Sequence, residues 1–297
     1  IWKHINILKE RGYIFESSTR KGYRLIYAPN LLTPLEIDSA LHTETFGRHV
    51  VYLSSTTSTN EEAKKIAREG AEEGTIVVAE EQTGGRGRLT RSFYCPFAKG
   101  IWFTLILRPK FFPLEASKCT LMAAVGVCRG IRRLGLQDAG IKWPNDILYH
   151  GKKLVGILTE MSASMEKIDY IIIGAGINTG MKKSEFPELF RESATSFLAE
   201  GIDVSRKDLL AAILAELEKE YEIAQTQGFD KVLEDWKALS ITLGQDVRVI
   251  MGEENYTGKA VDIDKDGCLL VDTGKKVERV IAGDVSIRPI DAPLPKR

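Results

Sequence analysis

The sequence predicts an α+β fold with a small all-β region at its C-terminal end and a basic helix–hairpin unit at its N-terminal end. Helical patterns and short β-branched runs alternate through the middle of the chain, whereas about fifty residues at the end carry only short strand patterns separated by glycine turns. Hairpins on one side and long helices elsewhere favour α+β over a doubly wound sheet. A length of 297 residues with 43% hydrophobic residues is enough for about two packed domains.

The N-terminal unit comprises residues 1–27, which hold six basic and two acidic side chains, a net charge of +4. Its pattern predicts a helix ending at Gly12 and two strands, Tyr13–Phe15 and Tyr23–Ile26, around a basic turn. So short a piece is too small to bury a core of its own.

The sequence predicts four parts along the chain. They are this unit at 1–27, a linker at 28–34, a mixed helix and strand domain at 35–238, and a small β-barrel at 239–297.

Helix and strand signals give the remaining elements. Two capping-box spacings, Ser58-x-x-Glu61 and Thr59-x-x-Glu62, predict the start of a helix that ends at Gly70. A capping residue at Ser205 predicts the start of a long helix that reaches Gln227. The other predicted elements are strands at 75–80, 101–108 and 168–173, a helical stretch at 114–134, a hairpin at 147–149 and 154–160, and C-terminal strands at 247–251, 256–263, 269–272 and 277–281.

Composition excludes several classes of protein. Equal numbers of basic and acidic residues, 41 of each, exclude a uniformly basic nucleic-acid coat. Apolar runs such as Ile101–Leu107 are far shorter than the ~20 residues of a membrane span, so no membrane partner is predicted. The chain begins without a signal-peptide pattern, and its four cysteines form no C-x-x-C pair and no cluster with histidine. These features predict a cytoplasmic protein with reduced thiols and no zinc site.

The most informative motif is the glycine- and arginine-rich stretch that begins at Gln82 and contains Gly85-Arg86-Gly87-Arg88. From Gln82 to Leu114 there are six basic residues and no acidic one. Glycines let backbone amides approach an anion, and arginines add bidentate donors for a carboxylate or phosphate. The stretch lacks the Gly-Lys-Ser/Thr of a P-loop. A flexible surface loop with solvated arginines is the alternative interpretation.

Three further motifs have both a functional and a structural interpretation. Pro144 restricts Lys142-Trp143-Pro144-Asn145-Asp146 to a rigid geometry, although the same pattern fits a strand end with Trp143 in the core. The pair Lys152-Lys153 opens a hairpin, where lysines are usually solvated. The run Gly174–Gly180 follows an apolar strand but lacks the spacing of a dinucleotide fingerprint, so a tight strand-to-loop turn is the default expectation.

Together these motifs closely resemble those of biotin protein ligases and occur in the same order. The resemblance covers about residues 28–297. It rests on Ser58-Thr59-Asn60, the arginine loop (Gly85-Arg86-Gly87-Arg88), Lys142–Asp146, Lys153 with Gly156, and Gly174–Asn178. It implies a central mixed sheet with helices of the biotin/lipoate ligase-like, class II synthetase-like type, and an SH3-like β-barrel at the C-terminus. Residues 1–27 resemble the recognition helix and wing of the winged helix-turn-helix found on bifunctional members, which also repress biotin genes.

The resemblance implies an ATP-dependent ligase that forms biotinyl-5'-AMP with Mg²⁺ and transfers biotin to a lysine of the carrier domain of acetyl-CoA carboxylase or a related carboxylase. The implied catalytic residues are Arg88, Asp146 and Lys153. The implied biotin-binding residues are Ser58, Thr59, Asn60, Gln82, Arg86, Gly87, Arg88 and Lys153. The implied ATP-binding residues are Arg86, Arg88, Phe93, Lys142, Asn145 and Asn178. Asp146 is also the candidate metal ligand, and Phe93 stands where some relatives carry Trp.

Two alternatives remain at this point: a lipoate–protein ligase of the same general fold, and a ligand-sensing transcriptional regulator that has lost ligation. Operator DNA is an expected partner of a fuller form of the protein, through Lys3, His4, Asn6, Arg11, Arg20 and Lys21. Since helices expected before Ile1 are not in the sequence, we expect this chain to bind operator weakly. Apolar edge strands permit a homodimer, and the resemblance implies dimerisation coupled to ligand.

Overall fold

The computed structural model of the chain describes residues 1–10, 13–18, 22–27, 30–88, 91–251, 254–282 and 285–289. The chain divides into two units, Ile1–Leu31 and Leu32–Arg297. The first unit contains the helix α1 (Trp2–Glu10) and an antiparallel hairpin of β1 (Ile14–Ser18) and β2 (Gly22–Tyr27). The predicted helix and hairpin are therefore present. The boundaries of the predicted domains stay a prediction.

The second unit is built around a seven-stranded sheet. In chain order its elements up to residue 239 are α2 (Pro34–Ala40), β3 (Val50–Leu53), α3 (Thr59–Arg68), β4 (Ile76–Ala79), β5 (Gly100–Leu107), a 3₁₀ helix (Pro113–Lys118), α4 (Cys119–Arg133), β6 (Gly140–Lys142), β7 (Asp146–Tyr149), β8 (Lys152–Ala163), β9 (Ile168–Asn178), α5 (Arg206–Gln227) and α6 (Asp230–Leu239). The strand order is β3-β4-β5-β9-β8-β7-β6. Only β3 and β4 pair in parallel, which confirms the predicted mixed sheet.

Helices cover both faces of this sheet. The helices α4 and α5 pack together on one face, where Gly126 and Gly130 leave no room for a Cβ against the backbone of Leu217 and Ile213. Close approach of two helices requires such small residues. On the other face, α3 buries Ala63 and Ala67 against a smaller cluster. The strand β5 is buried along its whole length, as expected for a central strand covered on both sides.

A small antiparallel β region follows α6, as predicted. Its strands are β10 (Asp246–Met251), β11 (Glu254–Ile263), β12 (Leu269–Asp272), β13 (Val277–Val280) and β14 (Val285–Pro289), in the sheet order β13-β12-β11-β10-β14. The indole Nε1 of Trp143 donates to the carbonyl of Gly267 at 3.1 Å, and the Trp143 amide donates to the Thr242 hydroxyl at 2.9 Å. These contacts join the rigid Lys142–Asp146 segment to the β region.

Several local predictions were wrong. The strand β9 continues through Gly174–Asn178, where a turn was the default expectation, because the missing side chains make room for groups packed on the strand. Neither capping box forms, since Ser58 makes no side-chain cap bond and Thr59 is bonded to Gln82 instead. The stretch at 114–134 is helical as predicted, with a 3₁₀ helix before α4. The elements α2, β3 and α6 were not predicted.

In the part of the chain that the structure describes, every helix is too short or too polar to cross a lipid bilayer.

Candidate functional site

A single cavity of about 630 Å³ brings together all thirteen residues that the sequence analysis assigned to biotin, ATP and catalysis. The lining residues from that set are Ser58, Thr59, Asn60, Gln82, Arg86, Gly87, Arg88, Phe93, Lys142, Asn145, Asp146, Lys153 and Asn178. They come from the start of α3, the arginine loop, the segment before β7, the start of β8 and the end of β9. Segments far apart in sequence therefore converge on one face of the sheet.

The floor of the cavity is a flat area of sheet made by glycines. Gly156 and Gly176 face each other on β8 and β9, and a Cβ on either would meet the Phe93 ring, at 3.1 Å and 2.8 Å respectively. The Phe93 ring also packs edge-on against Trp102, with 6.0 Å between centroids. The glycines of the Gly174–Asn178 motif thus serve close packing and not a turn.

At one end of the cavity, the lining residues Ser58, Thr59, Asn60 and Gln82 are uncharged hydrogen-bonding residues. Gln82 Oε1 accepts from the Thr59 amide at 2.7 Å and from the Thr59 hydroxyl at 3.0 Å. The buried Thr104 hydroxyl lies 2.8 Å from Thr59 Oγ1 and 2.7 Å from Asn60 Oδ1. Asn60 Nδ2 donates to Glu160 Oε2 at 2.8 Å. The network holds Thr59, Asn60 and Gln82 in fixed orientations, as a polar ligand requires.

The other part of the cavity is strongly cationic. The described lining residues include five cationic side chains and one carboxylate, that of Asp146. The cationic residues are Arg86, Arg88, Arg91, Lys142 and Lys153. Lys153 Nζ lies 2.8 Å from Asp146 Oδ1 and 5.5 Å from the centroid of the Phe93 ring. Arg88 Nη1 donates to Asn145 Oδ1 at 3.3 Å. This excess of positive charge suits a ligand with several anionic groups.

At the end of β9, the side-chain amide of Asn178 is hydrogen-bonded through its nitrogen. Its Nδ2 donates to the backbone carbonyl of Thr195 at 3.0 Å, whereas its buried Oδ1 has no hydrogen-bond partner among the described residues. A buried acceptor without a partner is costly, so a ligand that supplies a donor gains binding energy there. The segment that contains Thr195 pairs with β8, since the Lys153 amide donates to the Ser193 carbonyl at 2.8 Å.

The described cavity lining contains no cysteine or histidine that could act as an enzyme nucleophile. Burial raises the pKa of the nearby Cys95 thiol to about 12, so this side chain stays protonated at neutral pH. Burial likewise raises the pKa of Cys128 to about 11. Within the described ranges, no three His, Cys, Asp or Glu side chains cluster in a way that holds a metal ion.

Sequence reasoning missed one wall of the cavity. Phe186, Leu189, Phe190, Ser193 and Ala194 form this wall in the segment between β9 and α5. They carry no charged or glycine-rich signal, so no motif singled them out. Ile287 of β14 also lines the cavity, which brings the C-terminal β region to the site.

The predicted DNA-binding residues lie in the N-terminal unit. Lys3 and His4 are exposed on α1, and Asn6 is half-buried there. Arg11, Arg20 and Lys21 lie outside the described residues. Large apolar side chains of this unit, including Trp2 and Leu25, are exposed at 66% and 51%.

Comparison with known proteins identifies two matching families. A model described as the biotin/lipoate A/B protein ligase family matches residues 52–178, and one described as the biotin protein ligase C terminal domain matches residues 242–288. The bifunctional ligase/repressor BirA of Bacillus subtilis (strain 168) is 39% identical over 288 residues, which cover 97% of this chain and 89% of the relative. The biotin--[acetyl-CoA-carboxylase] ligase of Mycobacterium tuberculosis is 32% identical over 245 residues, 80% of this chain and 88% of the relative.

A solved structure has a similar fold. The biotin protein ligase from Aquifex aeolicus in complex with biotin and ATP superposes with a TM-score of 0.71 at 28% identity, over 82% of this chain and 99% of that chain. That protein holds biotin and ATP together.

Proposed function

Because the chain belongs to the biotin protein ligase family, we propose that its cavity performs a two-step ligation. In the first step a biotin carboxylate oxygen attacks the α-phosphorus of ATP, and pyrophosphate leaves. In the second step the amine of a carrier lysine attacks the carbonyl carbon of biotinyl-5'-AMP, AMP leaves, and the amine loses a proton. The observation that carries this proposal is the convergence of all thirteen expected residues on one cavity.

The polar end suits the ureido ring of biotin. A cyclic urea offers two N–H donors and one carbonyl acceptor, which match the amide and hydroxyl groups of Ser58, Thr59, Asn60 and Gln82. Lipoate has no such urea, so these groups favour biotin over the lipoate alternative.

The cationic part suits the reacting anions. Joining a carboxylate to an α-phosphate brings two negative charges together, so positioning and neutralisation lower the barrier most. Arg86, Arg88 and Lys153 are placed to supply that charge. Because Lys153 is already paired with Asp146 at 2.8 Å, we expect it to exchange this carboxylate for the ligand's when biotin binds.

The nucleotide lies, in this proposal, between the arginine loop and the end of β9. Asn178 Oδ1 accepts a hydrogen bond from the adenine amino group, which satisfies its unused acceptor. Lys142 and Asn145 contact the phosphates or ribose, and Phe93 packs against the nucleotide without the indole N–H that Trp offers.

A single carboxylate fits a Mg²⁺ ion that arrives with the nucleotide. Mg²⁺ is usually bound by one or two carboxylates together with substrate phosphates and water. Asp146 is the one acidic residue among the described lining residues and would hold such an ion. The ion supplies further charge neutralisation at the phosphates. After adenylation, Asp146 orients or deprotonates the incoming lysine, whose reference pKa is ~10.4.

Transfer to a biotin carboxyl carrier domain tests the proposal. We expect the chain, with ATP, Mg²⁺ and biotin, to add one biotinyl group to the acceptor lysine, as measured by intact-protein mass spectrometry. A carrier with that lysine replaced by Arg is the matched control. If the carrier stays unmodified although the carrier, ATP, Mg²⁺ and biotin have been verified as active, the ligase assignment is rejected.

Repression of transcription is a second function, favoured by the basic α1 and hairpin and by the ligase/repressor name of the Bacillus subtilis relative. Lys3, His4, Asn6, Arg11, Arg20 and Lys21 are the proposed DNA contacts. For a fuller form of the protein, we expect affinity for operator DNA to fall steeply with salt as phosphate contacts release counterions. Affinity that does not change with salt would count against these contacts. A cytoplasmic location and a homodimer stay predictions.

A further inference from the structure

The side-chain amide of Asn178, the residue proposed to contact adenine, has one defined orientation. Nδ2 is committed to the Thr195 carbonyl, so Oδ1 is the amide atom without a partner among the described residues. An oxygen accepts from the N6 amino group of adenine, whereas the guanine O6 at the corresponding position is itself an acceptor. A turned amide would present Nδ2 and favour guanine instead.

Thr195, whose carbonyl accepts from the Asn178 amide, makes hydrogen bonds of its own. Thr195 is buried, and its backbone amide donates to the Lys153 carbonyl at 2.9 Å. The Thr195 hydroxyl donates to Glu200 Oε1 at 2.5 Å, and Glu200 Oε2 lies 3.9 Å from His150 Nδ1. Neither Thr195 nor Glu200 lines the cavity. Their contacts serve the geometry of the site and not the ligand directly.

We infer that Thr195 and Glu200 are positioning residues that set the preference for adenine. Their hydrogen bond fixes the Thr195 carbonyl, the carbonyl fixes Nδ2 of Asn178, and Oδ1 is thereby left for the adenine amino group. Without the bond, the Thr195 carbonyl loses one of the contacts that hold it in place, so it can shift and the Asn178 amide can turn. The inference rests on the proposed function, because it takes Asn178 to contact the base.

Steady-state pyrophosphate release with ATP and with GTP tests this inference in the full chain. Thr195→Val keeps the shape of the side chain and removes the hydroxyl. We expect the ratio of kcat/KM for ATP over GTP to fall by up to about tenfold, the size expected when one neutral hydrogen bond between Asn178 and the adenine amino group is lost. The KM for biotin should not change, because the biotin end of the cavity is separate from this bond.

Two conservative variants and one neighbouring variant serve as controls. Thr195→Ser and Glu200→Gln keep a donor and an acceptor, so both should retain the wild-type ratio. Glu192→Gln removes an exposed carboxylate of the same segment, which pairs with the exposed Lys183, and should also retain the ratio. Glu200→Leu removes the acceptor instead of the donor, and it gives the test a second route should Thr195→Val not fold.

The outcomes separate the inference from the proposed function. If Asn178→Ala alters the ATP to GTP ratio while folded Thr195→Val or Glu200→Leu keeps the wild-type value, the positioning role is overturned. If the wild-type chain releases no pyrophosphate with ATP and biotin, the proposed function fails, and the inference falls with it. A lowered ratio with an unchanged KM for biotin supports the inference.

Discussion

At the scale of single residues, the proposed reaction requires side chains that exchange their partners when a ligand binds. We expect Lys153 to do so. It opens a hairpin together with Lys152, and only Lys153 lines the cavity. Its ammonium group has one carboxylate partner and one aromatic neighbour, Asp146 and Phe93. An amine held this way is preorganised to meet an anion between the sheet and the arginine loop.

Replacing Lys153 by Ala should slow adenylate formation by at least tenfold. The loss of one charge-assisted hydrogen bond costs about 1.5–3 kcal/mol, which corresponds to tenfold to a few hundredfold. Lys152→Ala is the matched control and should keep the wild-type rate. Circular dichroism should show both variants folded, since Lys153 is partly exposed at 34%. An unchanged rate of pyrophosphate release in Lys153→Ala would remove Lys153 from the mechanism.

Gly174→Ala should weaken biotin binding. A Cβ at this position would lie 2.0 Å from Asn60 Oδ1, so the Asn60 amide must move. We expect the KM for biotin to rise about tenfold and the free energy of unfolding to fall by about 1–3 kcal/mol, as for other overpacked sites. At Gly180 the nearest atom to an added Cβ is 3.8 Å away, so Gly180→Ala should change neither quantity. Equal behaviour of the two variants would contradict the close-packing role of Gly174.

At the scale of elements, the arginine loop is expected to order around the adenylate and shield it from water. Arg88→Gly should therefore release more of the reactive biotinyl-adenylate. The measurement is biotinylation of unrelated proteins mixed with the enzyme, compared with the wild-type chain. Labelling confined to the cognate carrier, with no faster dissociation of the adenylate, would show that the loop does not act as a lid.

Elements whose pattern is local could be predicted from the sequence, and those fixed by tertiary contacts could not. The cap at Ser205 forms as expected because a side chain bonds to a backbone amide three residues on. Gly174 and Gly176 look like turn residues locally, but they lie within β9 because Asn60 and Phe93 need their space. The wall from Phe186 to Ala194 has no local signature, since apolar packing and backbone hydrogen bonds to the distant Lys153 bring it to the cavity.

At the scale of the whole molecule, Trp143 joins the catalytic sheet to the C-terminal β region. Trp143→Phe removes the donor to the Gly267 carbonyl and leaves that acceptor without this bond. We expect a loss of about 1–3 kcal/mol of stability. Thermal unfolding should show a Tm lower by several degrees, whereas Trp2→Phe, at an exposed position, should leave the Tm unchanged. The same Tm in both variants would show that this bond contributes nothing.

We propose that one cavity adenylates biotin and that its urea-binding end cannot be satisfied by lipoate. Release of pyrophosphate from ATP, measured with biotin and with lipoate under the same conditions, tests it most directly. We predict rapid release with biotin and release near the background rate with lipoate. Equal or faster release with lipoate, or no release with either acid, would contradict the account.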